Sequence, residues 1–244
     1  RVVNLGGTAV GTGIGAPREF IFRATEALKE ITNLPLARAE NLLEATQNAD
    51  VFVEVSGILK ALAATLWKIS SDLRLLGSGP SAGLGEIHLP ELQAGSSIMP
   101  GKVNPVAPEA VTQCAMLVFA YDGAIAMAAA SGSLELNPFL PLIAVCLLDS
   151  LDLLANACGV LRRGAVAGIK ADEARCAGQV LNSTAAATAL AGVVGYERAS
   201  ACTAEARNSG RKLRDVVIER GWMTVEEFDA MIAPEAVCRL GGVE

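Results

Sequence analysis

From Asp50 to Leu76 the chain runs without a proline, and Val51, Val55, Ile58, Leu59, Leu62, Leu66, Ile69, Leu73 and Leu76 recur along it at helical spacing. Residues so placed share one broad face of an α-helix, and a helix of this length predicts a rod that spans a bundle from end to end. Two further Ala/Leu-rich stretches, about 109–130 and 139–163, have the same character; they are separated by Ser131-Gly132-Ser133 and interrupted by Pro138 and Pro141. The second is apolar on nearly all sides, as a central helix of an oligomeric core would be. Hydrophobic residues make up 52% of the 244 but aromatics only 4%, so the core must be aliphatic, which suits close helix-on-helix packing. The expected fold class is all-α, a long-helix bundle.

Around these rods the pattern shortens. Phe20, Ala24, Ala27, Leu28 and Ile31 predict an amphipathic helix from Pro17 to Thr32, which Pro35 ends. After Arg162-Arg163-Gly164 come shorter, more charged helices near 171–191, 196–208, 211–220 and 224–232, the last opened by Thr224 and Glu227 in capping-box spacing. The expected division is a central bundle domain over 1–164 and a small C-terminal helical domain over 165–244. The glycine-dense residues 1–17 allow another backbone to approach closely. They lack the full dinucleotide spacing, and no Gly-Lys-Ser/Thr follows, so they do not read as a phosphate loop.

Several function classes fall away. The net charge is -6 with no basic cluster, so nucleic acid is not the expected partner. Mean hydropathy is +0.41, but the apolar stretches 110–121 and 136–148 read as too short to span a membrane and as buried bundle helices. Six scattered cysteines form no CxxC pair and have no histidine cluster beside them, so no metal, cofactor or redox dithiol is expected. Free thiols and the lack of a secretory or lipidation signal predict a cytoplasmic protein. The chain opens on Arg1, and the expected start of the gene product lies upstream.

Between Gly77 and Pro108 the periodicity collapses into one long loop, anchored by Ile87, Leu89, Leu92, Ile98 and Met99. Loops of this length in compact proteins are usually functional or disordered, and apolar anchors argue against disorder. Within it, Gly95-Ser96-Ser97-Ile98-Met99-Pro100-Gly101-Lys102-Val103-Asn104-Pro105 offers two hydroxyls, a cation, an amide, and glycines that let backbone N–H groups turn inward. Lys102 and Asn104 could hold a carboxylate, while a serine amid inward N–H groups could act as base or nucleophile. The same residues also fit an ordinary polar loop capped by serines.

The string Gly-Ser-Ser-x-Met-Pro-x-Lys-x-Asn-Pro resembles the signature of the aspartase/fumarase superfamily, with eight fixed identities in eleven residues. The resemblance extends to Gly6–Gly13, to Ser78-Gly79-Pro80 and Gly83–Glu86, and to Leu134-Glu135-Leu136-Asn137. It implies a lyase that takes a β-proton from a succinate-type substrate and releases fumarate, working as a tetramer in which each site draws on three subunits. It implies further that Ser96 is the catalytic base, that Lys102 and Asn104 bind substrate, and that the backbone of Ser97, Ile98, Met99 and Gly101 shelters the Ser96 oxyanion. Glu109 matches the acid that partners an active-site histidine.

Ala39–Leu42, Leu89–Ala94 and Asn104–Glu109 look closer to the ammonia-lyase branch, so elimination of ammonia from L-aspartate is the implied reaction, with class II fumarase chemistry as the alternative. Argininosuccinate and adenylosuccinate lyases share the signature only loosely. The resemblance covers the C-terminal half of the family, so the implied partners are a small dicarboxylate and either identical copies in a homotetramer or a missing N-terminal half. An inactive helical assembly subunit is the reading from a different class. Gly15 stands where the family usually has Asn, Ser81 where it often has Arg, and Pro138 and Pro141 crowd the Leu-Asn motif. His88 is the only histidine and lies outside the family's catalytic position; it reads as a loop residue.

Overall fold

The computed structural model describes Arg1–Cys238, in which eleven α-helices and four two-residue strands make an all-α architecture. The chain forms two compact units: Arg1–Leu76 with Leu89–Ile169, and Gly77–His88 with the chain from Lys170 on.

In the first unit, β1 (Val2–Val3) pairs in parallel with β2 (Ala37–Arg38) beside α1 (Arg18–Thr32) and α2 (Leu42–Gln47). The Gly-rich segment folds against these helices. At Gly11, whose φ is +83°, a Cβ would lie 2.4 Å from the Leu42 carbonyl oxygen, so the glycine serves close backbone approach. Three long helices form the bundle: α3 (Asp50–Leu76), α4 (Val106–Ala130) and α5 (Leu140–Gly164), the last followed by a 3-10 turn at Val166–Gly168. α3 has the bounds that its periodicity predicts. α4 begins three residues earlier than Pro108 suggests, because a proline in the first turn lacks only an N–H that has no intrahelical partner there.

The three rods meet along seams of heptad-like spacing. α3 buries Ser56, Ala63, Leu66 and Ser70; α4 buries Val111, Ala115, Val118 and Ile125; α5 buries Ile143, Cys146, Ser150, Leu154, Ala157 and Leu161. Asp122 continues the α4 seam, where its carboxylate accepts hydrogen bonds from Ser56 Oγ at 2.8 Å and from Lys60 Nζ. Burial pushes the Asp122 carboxyl up, but the bonds from Lys60 and Ser56 and the Lys60 charge outweigh it and leave the group below the ordinary carboxylate range. At the α4–α5 corner the buried Asn137 donates to the carbonyls of Ala128 and Ala129 and accepts from the Phe139 N–H, so one side chain serves the end of one helix and the start of the next.

α4 and the run Leu140–Gly168 are long and apolar enough, by length and composition, to cross a membrane. This corrects the expectation from the shorter stretches 110–121 and 136–148, which end inside the helices. Length therefore does not separate these helices from membrane spans.

In the second unit, β3 (Ile87–His88) pairs antiparallel with β4 (Lys170–Ala171). The helices are α6 (Glu173–Asn182), α7 (Ala187–Val194), α8 (Tyr196–Ser209), α9 (Leu213–Glu219), α10 (Val225–Met231) and α11 (Pro234–Val237). The single helix expected over 171–191 is broken, and the Ser183 hydroxyl in the break accepts from the Ala185 N–H. Thr224 and Glu227 make both bonds of the capping box that opens α10. The core holds Leu190, Cys202, Leu213, Val216, Val217 and Phe228. α6 also fastens the upstream segment: Arg175 donates to the carbonyls of Pro80 and Gly83, and Gln179 to that of Leu84.

Candidate active site

The loop between Leu89 and Pro105 is closed at a neck. The Gly95 N–H donates to the Lys102 carbonyl at 2.9 Å, and the Asn104 side-chain amide donates to the Gly95 carbonyl at 2.9 Å. A Cβ on Gly95 would lie 2.2 Å from the Lys102 carbonyl oxygen, so only glycine lets the two strands of the neck approach this closely. At the tip, the Lys102 N–H donates to the Met99 carbonyl at 3.3 Å around Pro100-Gly101, with Gly101 at φ +78°. Proline followed by a left-handed glycine is the pairing such a turn needs.

This tip orients main-chain donors onto one hydroxyl. The Ile98 and Met99 N–H groups both donate to Ser96 Oγ, each at 3.2 Å. A hydroxyl oxygen that already accepts two amide N–H groups sits where negative charge on that oxygen is favoured, which is what a serine base requires. Ser97 and Lys102 are exposed on the same loop, and Ile98 is 84% exposed, so its side chain takes no part in the shelter.

Of the sequence-predicted residues, Ser96, Ser97, Ile98, Met99, Gly101, Lys102 and Asn104 lie on one loop as adjacent residues must, with Ser96 bonded to the Ile98 and Met99 N–H groups and Asn104 to Gly95, and Glu109 stands in the first turn of α4. Asn104 has a structural task that the sequence did not reveal, since its amide nitrogen holds the neck. Arg74, in the last turn of α3, was not singled out; its Nε lies 4.0 Å from Glu109 Oε1. The 35-residue separation leaves no local signal for that pair. His88 is a strand residue of β3 rather than a loop residue; it faces Lys170 in the pairing, and its Nε2 lies 3.6 Å from Asp172 Oδ2. Among the described residues no group of three or more His, Cys, Asp or Glu is placed to hold a metal ion.

Residues 2–120 match the family described as Lyase, and residues 187–239 match that described as Fumarase C C-terminus. An aspartate ammonia-lyase of Helicobacter pylori is 45% identical over 235 residues, covering 96% of this chain and 50% of that protein. A fumarate lyase:delta crystallin structure from Brucella melitensis matches with TM-score 0.88 and 46% identity, over 94% of this chain and 50% of that one. The chain belongs to the aspartase/fumarase superfamily. A class II fumarase structure from Schistosoma mansoni matches with TM-score 0.86 and 31% identity, over 95% of this chain and 51% of that one. The chain spans about half the length of the curated relatives it matches.

Proposed function

We propose that this chain supplies the serine loop of a lyase that eliminates ammonia from L-aspartate to give fumarate, with Ser96 as the base. The observation that carries the reading is the pair of main-chain N–H groups on Ser96 Oγ, in a loop that also presents Lys102. The Ser96 alkoxide takes a proton from the β-carbon, and the electron pair left behind moves into the adjacent carboxylate. That pair returns to form the carbon–carbon double bond as the carbon–nitrogen bond breaks and ammonia leaves. The Lys102 ammonium balances the charge that builds on the carboxylate, so its attraction is strongest in the transition state. Asn104 contributes by keeping the neck closed, and its remaining polar capacity can meet the substrate.

The relatives named aspartate ammonia-lyase, 45% identical over nearly the whole chain, favour ammonia as the leaving group. The class II fumarase match supports water as the second reading, because the same base and loop serve that chemistry. The large exposed side chains of the three rods, such as Ile58 at 66%, Met127 at 68% and Leu148 at 61%, support an assembly of several copies, or of this chain with a partner that completes the site.

The test is fumarate formation from L-aspartate and separately from L-malate by the native assembly. Turnover of aspartate supports the ammonia-lyase reading; turnover of malate alone replaces it with hydration; turnover of neither leaves a helical assembly subunit as the function. In the active assembly, Ser96→Ala is expected to lower kcat by about 10²–10⁴-fold without changing native mass. Retained turnover rules Ser96 out as the base.

A further inference from the structure

Gly164 closes α5 and Gly168 closes the 3-10 turn that follows, and neither has the positive φ that calls for glycine. At the end of a helix alanine is the better helix former by about 1 kcal/mol, so backbone preference does not explain glycine at 164. Space does. A Cβ at Gly168 would lie 2.5 Å from Pro90 Cγ, and one at Gly164 would lie 2.9 Å from Ala107 Cβ and 3.1 Å from Leu92 Cδ1. The proline ring is bonded to its own backbone at both ends and cannot swing aside, so an added methyl at 168 must lift the main chain at Pro90.

The segment that rests on these glycines is the base of the serine loop. Leu89 packs into the core around the fully buried Ala165, Pro90 lies on Gly168, Leu92 lies on Gly164, and Gly95 opens the loop's neck three residues on. We propose that Gly164 and Gly168 form a two-notch seat that fixes where the serine loop begins, so that both are positioning residues for the elimination and act through the side chains they lack. The functional half of this inference rests on the reading of Ser96 as the base; the structural half does not.

The experiment uses the full chain in its native assembly, with Gly168→Ala, Pro90→Ala and the double variant. Gly168→Ala is expected to lower kcat by about 10–100-fold with KM little changed, since a misplaced base loses rate before it loses substrate. Hydrogen exchange at the Gly95, Ile98, Met99 and Lys102 amides is expected to quicken together. Removing the Pro90 ring removes the contact at 2.5 Å, so the double variant is expected to return to the rate and exchange of Pro90→Ala alone. A Gly168→Ala protein with unchanged rate and exchange overturns the proposal, and so does a double variant as impaired as Gly168→Ala. If Gly168→Ala fails to fold, a double variant that folds supports the seat and one that does not overturns it. If the unaltered assembly makes no fumarate, the function fails while amide exchange still decides the seat.

Discussion

The two units differ less in what they bury than in what they leave outside. The second packs Phe228, Leu190, Leu213, Val216 and Val217, all at most 2% exposed, around Ala186, Ala199, Cys202 and Ala206, and among its described residues leaves only Val180, Val193, Tyr196, Val225 and Val237 as exposed large hydrophobics. The first packs Ala63, Ala107, Ala115, Ala157 and Ala165 with as many Val and Leu residues, and leaves Ile58, Leu62, Met116, Leu117, Met127, Val145 and Leu148 outside among others. Alanines in the seam let the rods lie close, while the larger side chains on their outer faces stay exposed. The second unit leaves little apolar bulk for a neighbour to cover. The first leaves broad apolar faces on its rods, which the assembly proposed above would cover.

The sharpest way to break this contrast is to charge an outer face. Ile58→Glu or Leu148→Glu is expected to dissociate the assembly at working concentrations, read by native mass; an unchanged mass means those faces are not covered by partners. Next in size, Phe228→Ala should destabilise the second unit by about 3–5 kcal/mol, independently of protein concentration. If its denaturation midpoint follows concentration instead, the second core also depends on assembly.

A smaller effect concerns the charge in the first unit's seam. The Asp122 carboxyl is held below its ordinary range when folded, so its contribution is present above the unfolded carboxylate value of about 3.9 and is lost as pH falls through that value toward the native one. Asp122→Asn is expected to reduce the loss of helical signal over that acid window, without changing the shape of the curve at neutral pH. The smallest effect lies in the second unit: Thr224→Ala removes one half of the α10 capping box and should cost about 1 kcal/mol by denaturant titration.

The rods were legible because their signal is long and local. Val51 through Leu76 repeats the same spacing over many turns, and Thr224 with Glu227 reports its own helix start within three residues. The serine loop was legible as a chemical set, since Ser96, Lys102 and Asn104 lie within nine residues. What escaped was set by distant partners. Residues 77–108 read as one loop, yet 77–88 folds with α6 because Arg175 and Gln179, some ninety residues downstream, hold its carbonyls. The four strands are two residues each, too short for any alternation to show. Arg74 beside Glu109 and Pro90 on Gly168 are likewise contacts that no spacing announces.

The shelter around Ser96 is made of peptide N–H groups rather than side chains. Substitution at 98 or 99 by any residue but proline leaves both N–H donors present, so the environment of the Ser96 oxygen does not depend on which side chains stand there. In the lyase proposed above, the side chains at 98 and 99 can therefore change while the hydrogen bonds to the proposed base stay in place.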